Sequence, residues 1–249
     1  MVAHALFRAI PDSFTRAIAR EAPRQPIDVP LARQQHAIYR AAFGDAQQLL
    51  VDADETCPDC VFVEDTAVIL DGKALITRPG APSRQPETGP IARALAPLLE
   101  LVAMEPPATL DGGDVMVAGG KIFVGRSART NDAGIEQLGR VFGRSRVIVV
   151  DMPAHVLHLK CVVTPLGDGV VLADQSLSPE LFSGMPIVRV PAEETYAANV
   201  VDTGNAVIAA AEFPRTLAAL SDAGFRVHPV PTTEVQKADG SLTCQSLRW

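Results

Sequence analysis

A strand–turn–strand pattern recurs four times along the 249-residue chain and limits its fold more than any other feature. Each copy has a short apolar strand, a turn rich in Gly, a second apolar strand and a polar loop that opens a helix. The copies begin at Val61, Leu110, Leu157 and Ala198, with turns at residues 71–72, 119–120, 167–169 and 203–205. The Asp-Gly, Gly-Gly and Gly-Asn pairs suit tight hairpins, which need residues that tolerate positive φ. The chain is therefore predicted to be built from similar units.

Helical patterns separate the hairpins, and a further short strand follows each helix. Helices are predicted over residues 91–102, 131–142 and 214–223, and Pro97 is expected to kink or shorten the first. Residues 1–60 contain a strand, a helix and another strand, and the terminal "SLTCQSLRW" would supply the strand that this fifth unit lacks. Five such units can close into a ring with both termini in one unit. We expect a single α/β domain over residues 1–249.

Composition excludes several classes of function. The net charge is −7, there is no basic block, and aromatic residues make up 5% of the chain, so nucleic acid is not expected as a partner. No segment has the length of apolar sequence that a membrane span needs, and the first residues do not read as a signal peptide. Four cysteines are too sparse for a disulfide framework. These features predict a cytoplasmic protein with free thiols and no membrane partner.

Reactive side chains occupy corresponding positions in the repeats, in or beside the first strand of each unit. They are Glu64, Asp65, Asp111, Asp114, His158 and, in the terminal strand, Cys244. In a closed ring these positions converge on the axis, which would bring a thiol, an imidazole and several carboxylates into one pocket. This set suits cleavage of a C–N bond in a guanidinium, because the group is cationic, its carbon needs a strong nucleophile, and the leaving amine needs a proton.

Roles follow from that chemistry. Carboxylates available to hold the cation are Asp59, Glu64, Asp65 and Asp111. His158 would protonate the leaving amine and then activate the water that hydrolyses a covalent intermediate on Cys244. Either the cationic substrate or protonated His158 would stabilise the thiolate.

Several strings resemble the bacterial dimethylarginine dimethylaminohydrolases, in register over nearly the whole chain. They are "PDCVFVED", "SARTN", "VLHLK", "TYAAN" and the terminal "SLTCQSLRW". The resemblance implies the pentein fold, a five-bladed α/β propeller of pseudo-symmetric ββαβ-type repeats around a central active site. It also implies hydrolysis of Nω-methylated arginines to citrulline and a methylamine, without a cofactor or a metal. The expected partner is a methylated arginine, and a homodimer is left open.

The resemblance also carries roles to individual residues. Cys244 matches the nucleophile and His158 the general acid/base, with Asp111 as the third catalytic residue. The acidic substrate motif matches Asp59, Glu64 and Asp65, the arginines that bind the α-carboxylate match Arg84 and Arg129, and Ile18 falls near a residue of an N-terminal lid.

Departures from the family pattern leave alternatives open. Asp111, in "DGGD", stands where close relatives commonly have Glu, so its reach to His158 and the preferred N-substituent are in question. An arginine deiminase or another guanidine hydrolase is the rival on the same fold, and a non-catalytic binding protein is the rival of another class.

Cys57 and Cys60 form a single C-x-x-C, which we interpret as structural thiols. The competing hypothesis is that oxidation or zinc capture at these thiols, beside Asp59, inhibits turnover.

Overall fold

The computed structural model describes residues 1–20, 25–167 and 169–249. Within these residues fifteen strands form five sheets of three. The strands are β1 (His4–Arg8), β2 (Gln47–Val51), β3 (Ala67–Leu70), β4 (Lys73–Ile76), β5 (Glu100–Ala103), β6 (Val115–Ala118), β7 (Lys121–Arg126), β8 (Val147–Asp151), β9 (Val163–Pro165), β10 (Val171–Ala173), β11 (Ile187–Arg189), β12 (Val201–Asp202), β13 (Val207–Ala210), β14 (Val227–Val230) and β15 (Leu247–Arg248). The helices are α1 (Val29–Ala41), α2 (Thr88–Leu95), α3 (Asp132–Phe142), α4 (Pro214–Asp222) and α5 (Thr233–Gln236). None of these helices has the length and apolarity required to cross a bilayer.

Every sheet has the same topology. In the first complete unit β3 pairs antiparallel with β4, the chain passes through α2, and β5 then pairs parallel with β4. The fifth sheet combines the two ends of the chain, since β15 pairs antiparallel with β1 and β2 pairs parallel with β1. The predicted five-bladed α/β propeller, with both termini in one blade, is confirmed.

The hairpin turn between β3 and β4 has the predicted conformation. Asp71 and Gly72 have φ values of 52° and 76°, and a two-residue hairpin of this hand needs positive φ at both positions. The turns of the second and fourth copies also contain glycines with positive φ. Asp168, in the predicted turn of the third copy, lies outside the described residues.

Buried apolar clusters lie between neighbouring sheets. One cluster joins Leu75 of β4 to Ile122 of β7 and to Leu138 and Phe142 of α3. Similar clusters join the second sheet to the third and the third to the fourth. The helices α1 to α4 therefore pack against sheets, and apolar contacts between adjacent blades hold the ring closed.

The predicted bounds of the first of the three helices are wrong, although the expected shortening at Pro97 is observed. The predicted helix over 91–102 runs instead from Thr88 to Leu95, and the residues from Glu100 onward form β5. Pro97 explains the early end, because proline inside a helix removes a hydrogen bond and clashes with the preceding turn. Before this helix lies the 3-10 helix Pro82–Glu87, which buries the charged side chains of Arg84 and Glu87.

The reactive residues lie in turns at the axis, just before the first strands, and not in the strands themselves. These 3-10 turns are Val63–Thr66, Gly112–Asp114, Leu159–Cys161, Ala192–Ala198 and Thr243–Gln245. Cys244 therefore lies in a turn before β15, which corrects its predicted position in the terminal strand. Side chains satisfy the amides of neighbouring turns; for example, Leu159 N donates to Asp114 Oδ1 at 3.0 Å. The turns thus form a linked inner ring.

Candidate active site

His158 and Asp111 form a buried pair at the axis. His158 directly precedes the turn Leu159–Cys161, and its Nε2 lies 3.0 Å from Oδ2 of Asp111. Burial alone would lower the pKa of His158, but the carboxylates of Asp65 and Asp111 outweigh that effect and raise the pKa to about 9. The imidazole is therefore protonated at neutral pH and can act as a proton donor.

Asp65 supplies a fixed negative charge beside this imidazole. Its Oδ1 accepts a hydrogen bond from Gly113 N at 2.9 Å, and its Oδ2 accepts one from Arg84 Nη1 at 2.5 Å. Burial would raise the pKa of this carboxyl, but the cationic His158 and Arg84 lower it to about 2. Asp65 is thus ionised throughout the neutral range and is available to a second cation.

The short side chain of Asp111 reaches His158. Its Oδ2 makes the contact with the imidazole, and its Oδ1 accepts a hydrogen bond from Gly80 N at 2.8 Å. The backbone amide of Asp111 is in turn held by Thr130 Oγ1 at 3.2 Å. With both oxygens engaged, Asp111 orients His158 although it is one methylene shorter than the Glu of relatives.

The glycines of "DGGD" permit the close approach of three chain segments. A Cβ atom at Gly113 would lie 2.8 Å from His158 Nδ1 and 3.0 Å from Asp65 Oδ1, and one at Gly112 would lie 2.0 Å from Glu64 O. Real Cβ atoms do not approach other atoms this closely. Both positions therefore need glycine because of packing at the axis.

We expect Gly113→Ala to lower kcat/KM by about 100-fold, because the added methyl group has to displace His158 or Asp65 from its present position. The rate of citrulline formation measures the effect. Gly89→Ala is the matched control, since a Cβ there would make only an ordinary 3.6 Å contact with Arg93. Parental kcat/KM in folded Gly113→Ala would mean that the close approach is not needed for activity.

Arg84 is buried in an ion-pair network behind Asp65. Besides Asp65, its guanidinium contacts Glu87 Oε2 at 2.8 Å and the carbonyl oxygen of Phe62 at 2.8 Å. Burial raises the pKa of Glu87 to about 7, although Arg84 opposes this rise. Arg84 thereby fixes the orientation of Asp65, and most of its hydrogen-bonding capacity is used within the protein.

A narrow pocket of about 50 Å³ opens onto this cluster. Six of the predicted site residues line it: Ile18, Asp59, Asp65, Arg84, Arg129 and His158. Asp111 lies behind His158.

The remaining wall of the pocket carries charges of both signs. Ile18 N donates a hydrogen bond to Asp59 Oδ1 at 3.0 Å, and burial raises the pKa of Asp59. The guanidinium of Arg129 is partly exposed and makes no hydrogen bond or ion pair with any other residue that the structure describes. The pocket wall thus combines the cation of Arg129 with the carboxylates of Asp59 and Asp65, and these charges match those of a zwitterion that has a cationic side chain.

The carboxylate of Glu64 does not join this pocket. Its Oε1 contacts Lys160 Nζ at 2.5 Å and Arg248 Nη2 at 3.3 Å, and its Oε2 accepts from Thr243 Oγ1 at 2.7 Å. Glu64 lines a separate polar cavity on the axis, of about 330 Å³. The adjacent residues Glu64 and Asp65 therefore line different cavities. Through its contact with Thr243, Glu64 holds the turn that carries Cys244.

Cys244 lies in the turn Thr243–Gln245, which contacts the turn Val63–Thr66. It is partly exposed, and it packs against a cluster that contains Phe62 and Ala238. Burial, followed by the charges of Glu64 and Asp65, raises the pKa of this thiol well above its usual range. The thiol is therefore protonated in the free protein. Cys244 is not among the described residues that line the pocket; the turn Val63–Thr66, which its own turn contacts, carries Asp65 of the pocket wall.

The sequence prediction missed Asn199, the last residue of the "TYAAN" string. Its Oδ1 accepts from Thr243 N at 2.9 Å, and its Nδ2 donates to Thr243 Oγ1 at 2.9 Å and to Lys160 O at 2.8 Å. Asn199 thus joins the segment after His158 to the turn that carries Cys244. The string itself was the only signal, because the resemblance assigned no role to it.

One group of side chains has the composition of a metal site. Ligand atoms of Asp65, Asp111 and His158 all lie within 4.8 Å of one another. However, Asp65 already pairs with Arg84, and an imidazole with a pKa of about 9 is a cation at neutral pH. A protonated imidazole has no free lone pair for a metal. The cluster is therefore better suited to a cationic substrate.

Comparison with known proteins agrees with this geometry. The family model for arginine deiminase matches residues 57–182. The N(G),N(G)-dimethylarginine dimethylaminohydrolase of Streptomyces coelicolor is 40% identical, with 98% of this chain and 96% of the relative covered. The protein of the same name from Pseudomonas aeruginosa is 36% identical, with 89% and 90% covered. A solved structure of the Pseudomonas aeruginosa enzyme, a cysteine-to-serine mutant complexed with citrulline, superposes over 100% of both chains with a TM-score of 0.95 and 34% identity.

Proposed function

The chain belongs to the dimethylarginine dimethylaminohydrolase family, and on that premise we propose that it hydrolyses Nω-methylated L-arginines to L-citrulline and methylamine or dimethylamine. One observation carries the proposal: the pocket wall holds the anionic Asp65 beside the protonated His158, and it also holds Arg129, whose guanidinium pairs with no other residue that the structure describes. A methylated arginine has a guanidinium at one end and an α-carboxylate at the other, so its charges match.

In the proposed complex Asp65 binds the guanidinium and Arg129 binds the α-carboxylate. Asp59 lies in the same wall and suits the α-ammonium group of the substrate. The backbone amide of Ile18 donates a hydrogen bond to Asp59, and we propose that Ile18 moves as a lid when the substrate binds. Arg84 lines the pocket as well, but its contacts with Asp65 and Glu87 favour a role in holding Asp65. Direct binding of the carboxylate by Arg84 stays a prediction.

The raised pKa of Cys244 means that substrate binding has to help ionise the thiol. Burial and the charges of Glu64 and Asp65 oppose the thiolate in the free protein. A bound guanidinium adds a positive charge beside these carboxylates and so lowers the pKa of the thiol, whose proton is released to solvent. The nucleophile therefore forms mainly when its target is present.

The proposed reaction has two halves. The thiolate of Cys244 attacks the guanidinium carbon, His158 transfers its proton to the methylated nitrogen, and the C–N bond breaks with its electron pair going to the leaving amine. His158, now neutral, removes a proton from water, and the hydroxide adds to the thiouronium carbon. The C–S bond then breaks and returns the thiolate, while the hydroxyl proton of the adduct is released to solvent and the neutral ureido group of citrulline remains. Asp111 holds His158 through both transfers.

The remaining expectations complete the proposal. We take residues 1–249 as one catalytic domain, supported by the pairing of β15 with β1. No cofactor, metal, nucleic acid or membrane is needed for the reaction described. A cytoplasmic location is supported by four free cysteines, which a reducing compartment maintains. A homodimer stays a prediction.

A substrate panel tests the proposed activity. The purified chain is incubated with asymmetric dimethylarginine, monomethylarginine, arginine and agmatine, and citrulline and the released amine are quantified. We expect turnover of the methylated arginines and the weakest reaction with agmatine, which has no α-carboxylate for Arg129. Faster turnover of arginine, with release of ammonia, would favour a deiminase, the second candidate that the match over residues 57–182 supports.

Arg129→Ala should raise KM for dimethylarginine by about 10- to 100-fold while kcat changes much less, because one charged contact with the substrate carboxylate is lost. Initial rates of citrulline formation over a range of substrate concentrations separate the two constants. Arg93→Ala, on the exposed face of α2, is the control and should leave both constants unchanged. An unchanged KM in Arg129→Ala would move the carboxylate site elsewhere.

A further inference from the structure

A second cavity of about 380 Å³ adjoins the substrate pocket. The two share Arg20, Leu157 and Asp239. Arg20 covers the boundary: its amide donates to Asp239 Oδ2 at 2.6 Å, and its Nη1 donates to the carbonyl oxygen of His155 at 2.6 Å. The larger cavity therefore lies beside the substrate pocket, beneath the same covering residue.

This cavity lies next to the segments that carry the reacting groups. Leu157 precedes His158, and Asn199, which binds the amide next to Cys244, lines the cavity wall. Arg84, Arg129 and Asp59 line the substrate pocket only. The cavity thus adjoins the substrate pocket along Arg20, Leu157 and Asp239, and Leu157 places this boundary next to His158.

Two buried polar groups in the cavity wall have capacity for a ligand. Asp174 is 3% exposed, and its carboxylate accepts from Ser176 N at 2.7 Å and Ser176 Oγ at 3.1 Å, with no cationic side chain within 4.0 Å in the described part of the chain. Ser241 is 7% exposed, and its hydroxyl has no hydrogen-bond partner within residues 1–20, 25–167 and 169–249. A buried hydroxyl without a partner is costly unless a ligand or water satisfies it.

We propose that this cavity binds a small alkylammonium ion, the amine that the reaction releases. The proposal rests on the proposed function, because that reaction supplies the amine. The nitrogen leaves with the electron pair of the C–N bond and one proton from His158, and it then takes a further proton from water because dialkylamines are strong bases. Asp174 supplies the opposite charge, Ser241 a hydrogen-bond acceptor, and the ring of Tyr196 an aromatic surface for the methyl groups.

Separate departure of the amine has a mechanistic consequence. After the amine leaves, the rest of the substrate stays bonded to Cys244 as the thiouronium intermediate and fills the substrate pocket until water attacks. An exit through the adjoining cavity frees the space beside His158 for that water while Ile18 and Arg20 stay closed. The cavity therefore allows hydrolysis of the intermediate without opening the substrate pocket.

The binding test uses Cys244→Ser protein, in which turnover does not remove the ligands, with dimethylammonium chloride as the probe. Ligand-observed NMR titrations are run without and with saturating citrulline. We expect saturable binding whose affinity is unchanged by citrulline, and a loss of about 10-fold or more in Asp174→Asn. Asp222→Asn, at the exposed end of α4, is the control and should bind as the parent does.

Substitution of Asp174 can disturb its hydrogen bonds with Ser176, so variants of Ser241 provide a second, independent test. Ser241→Ala should weaken binding by about 3-fold, and Ser241→Leu, which fills the cavity, should abolish it. Thermal unfolding of each variant checks that it is folded. Competition between citrulline and dimethylammonium, or parental affinity in Ser241→Leu and in folded Asp174→Asn, would overturn the proposal. Absence of turnover in the substrate panel, with amine binding intact, would instead refute the proposed function.

Discussion

Cys244→Ser should lower the rate of citrulline formation from dimethylarginine by ~10⁴-fold or more, the largest effect expected of any single substitution in this chain. A serine hydroxyl remains protonated under conditions in which a bound guanidinium can ionise a thiol. Binding should survive, because Asp65 and Arg129, the groups proposed to hold the two ends of the substrate, are untouched. A citrulline assay gives the rate, and calorimetry with dimethylarginine gives the affinity.

Cys57→Ser provides the control for that experiment. This thiol is buried, and its one polar neighbour within reach is Thr56 Oγ1 at 3.8 Å among the described residues. Its loss should leave kcat within about 2-fold of the parent if Cys57 is structural, as predicted. Comparable activity in Cys244→Ser and Cys57→Ser would rule out covalent catalysis by Cys244. If oxidant or zinc lowered the activity of the parent but not that of Cys57→Ser, the competing hypothesis of oxidation or zinc capture at Cys57 and Cys60 would be favoured.

The architecture of the ring could be predicted from the sequence because each unit repeats the same local signals. Hairpin turns such as Asp71-Gly72 are specified by the residues that form them, and the order of strands and helix follows from apolar periodicity. Closure of the ring could be predicted because residues 1–60 lack one strand of a unit and the C-terminal segment supplies it. The turns before the first strands were missed, since three-residue 3-10 turns have no periodicity to detect.

The site was only partly predictable, because its charges are set by partners distant in sequence. Arg84 was expected to bind the substrate carboxylate, yet its guanidinium is buried and pairs with Asp65, 19 positions earlier. Glu64 and Asp65 are adjacent and acidic, but only the tertiary contacts with Lys160 and Thr243 reveal that Glu64 faces another cavity. Binding of substrate by Glu64, which the resemblance implied, stays a prediction that these contacts do not favour.

Asp111 illustrates what a resemblance leaves undetermined. The substitution of Asp for the usual Glu raised the question of whether the side chain could reach His158. Its two oxygens bridge Gly80 N and His158 Nε2, a geometry that depends on how close the glycines of "DGGD" bring the turns together. Backbone approach of this kind cannot be read from side-chain length alone.

His158→Asn should lower kcat by about 10³-fold with little change in KM, because the imidazole transfers protons without holding either end of the substrate. Asparagine is uncharged and does not transfer protons in this pH range, and its shorter side chain does not reproduce the contact of Nε2 with Asp111. Steady-state kinetics with dimethylarginine measure both constants. His228→Asn, exposed and remote from the pocket, should match the parent. A change confined to KM would assign His158 to binding.

The pH dependence of the parent should identify His158 as the proton donor. Its pKa of about 9 is raised above the usual value by Asp65 and Asp111, so the protonated, active form predominates at neutral pH and is lost as pH rises through about 9. We therefore expect kcat/KM to fall above that pH. The α-amino group of the substrate titrates in a similar range, which makes a variant necessary. In Asp111→Asn the imidazole loses one of the carboxylates that favour its charged form, so the decline should begin at lower pH, whereas a decline caused by the substrate would not move.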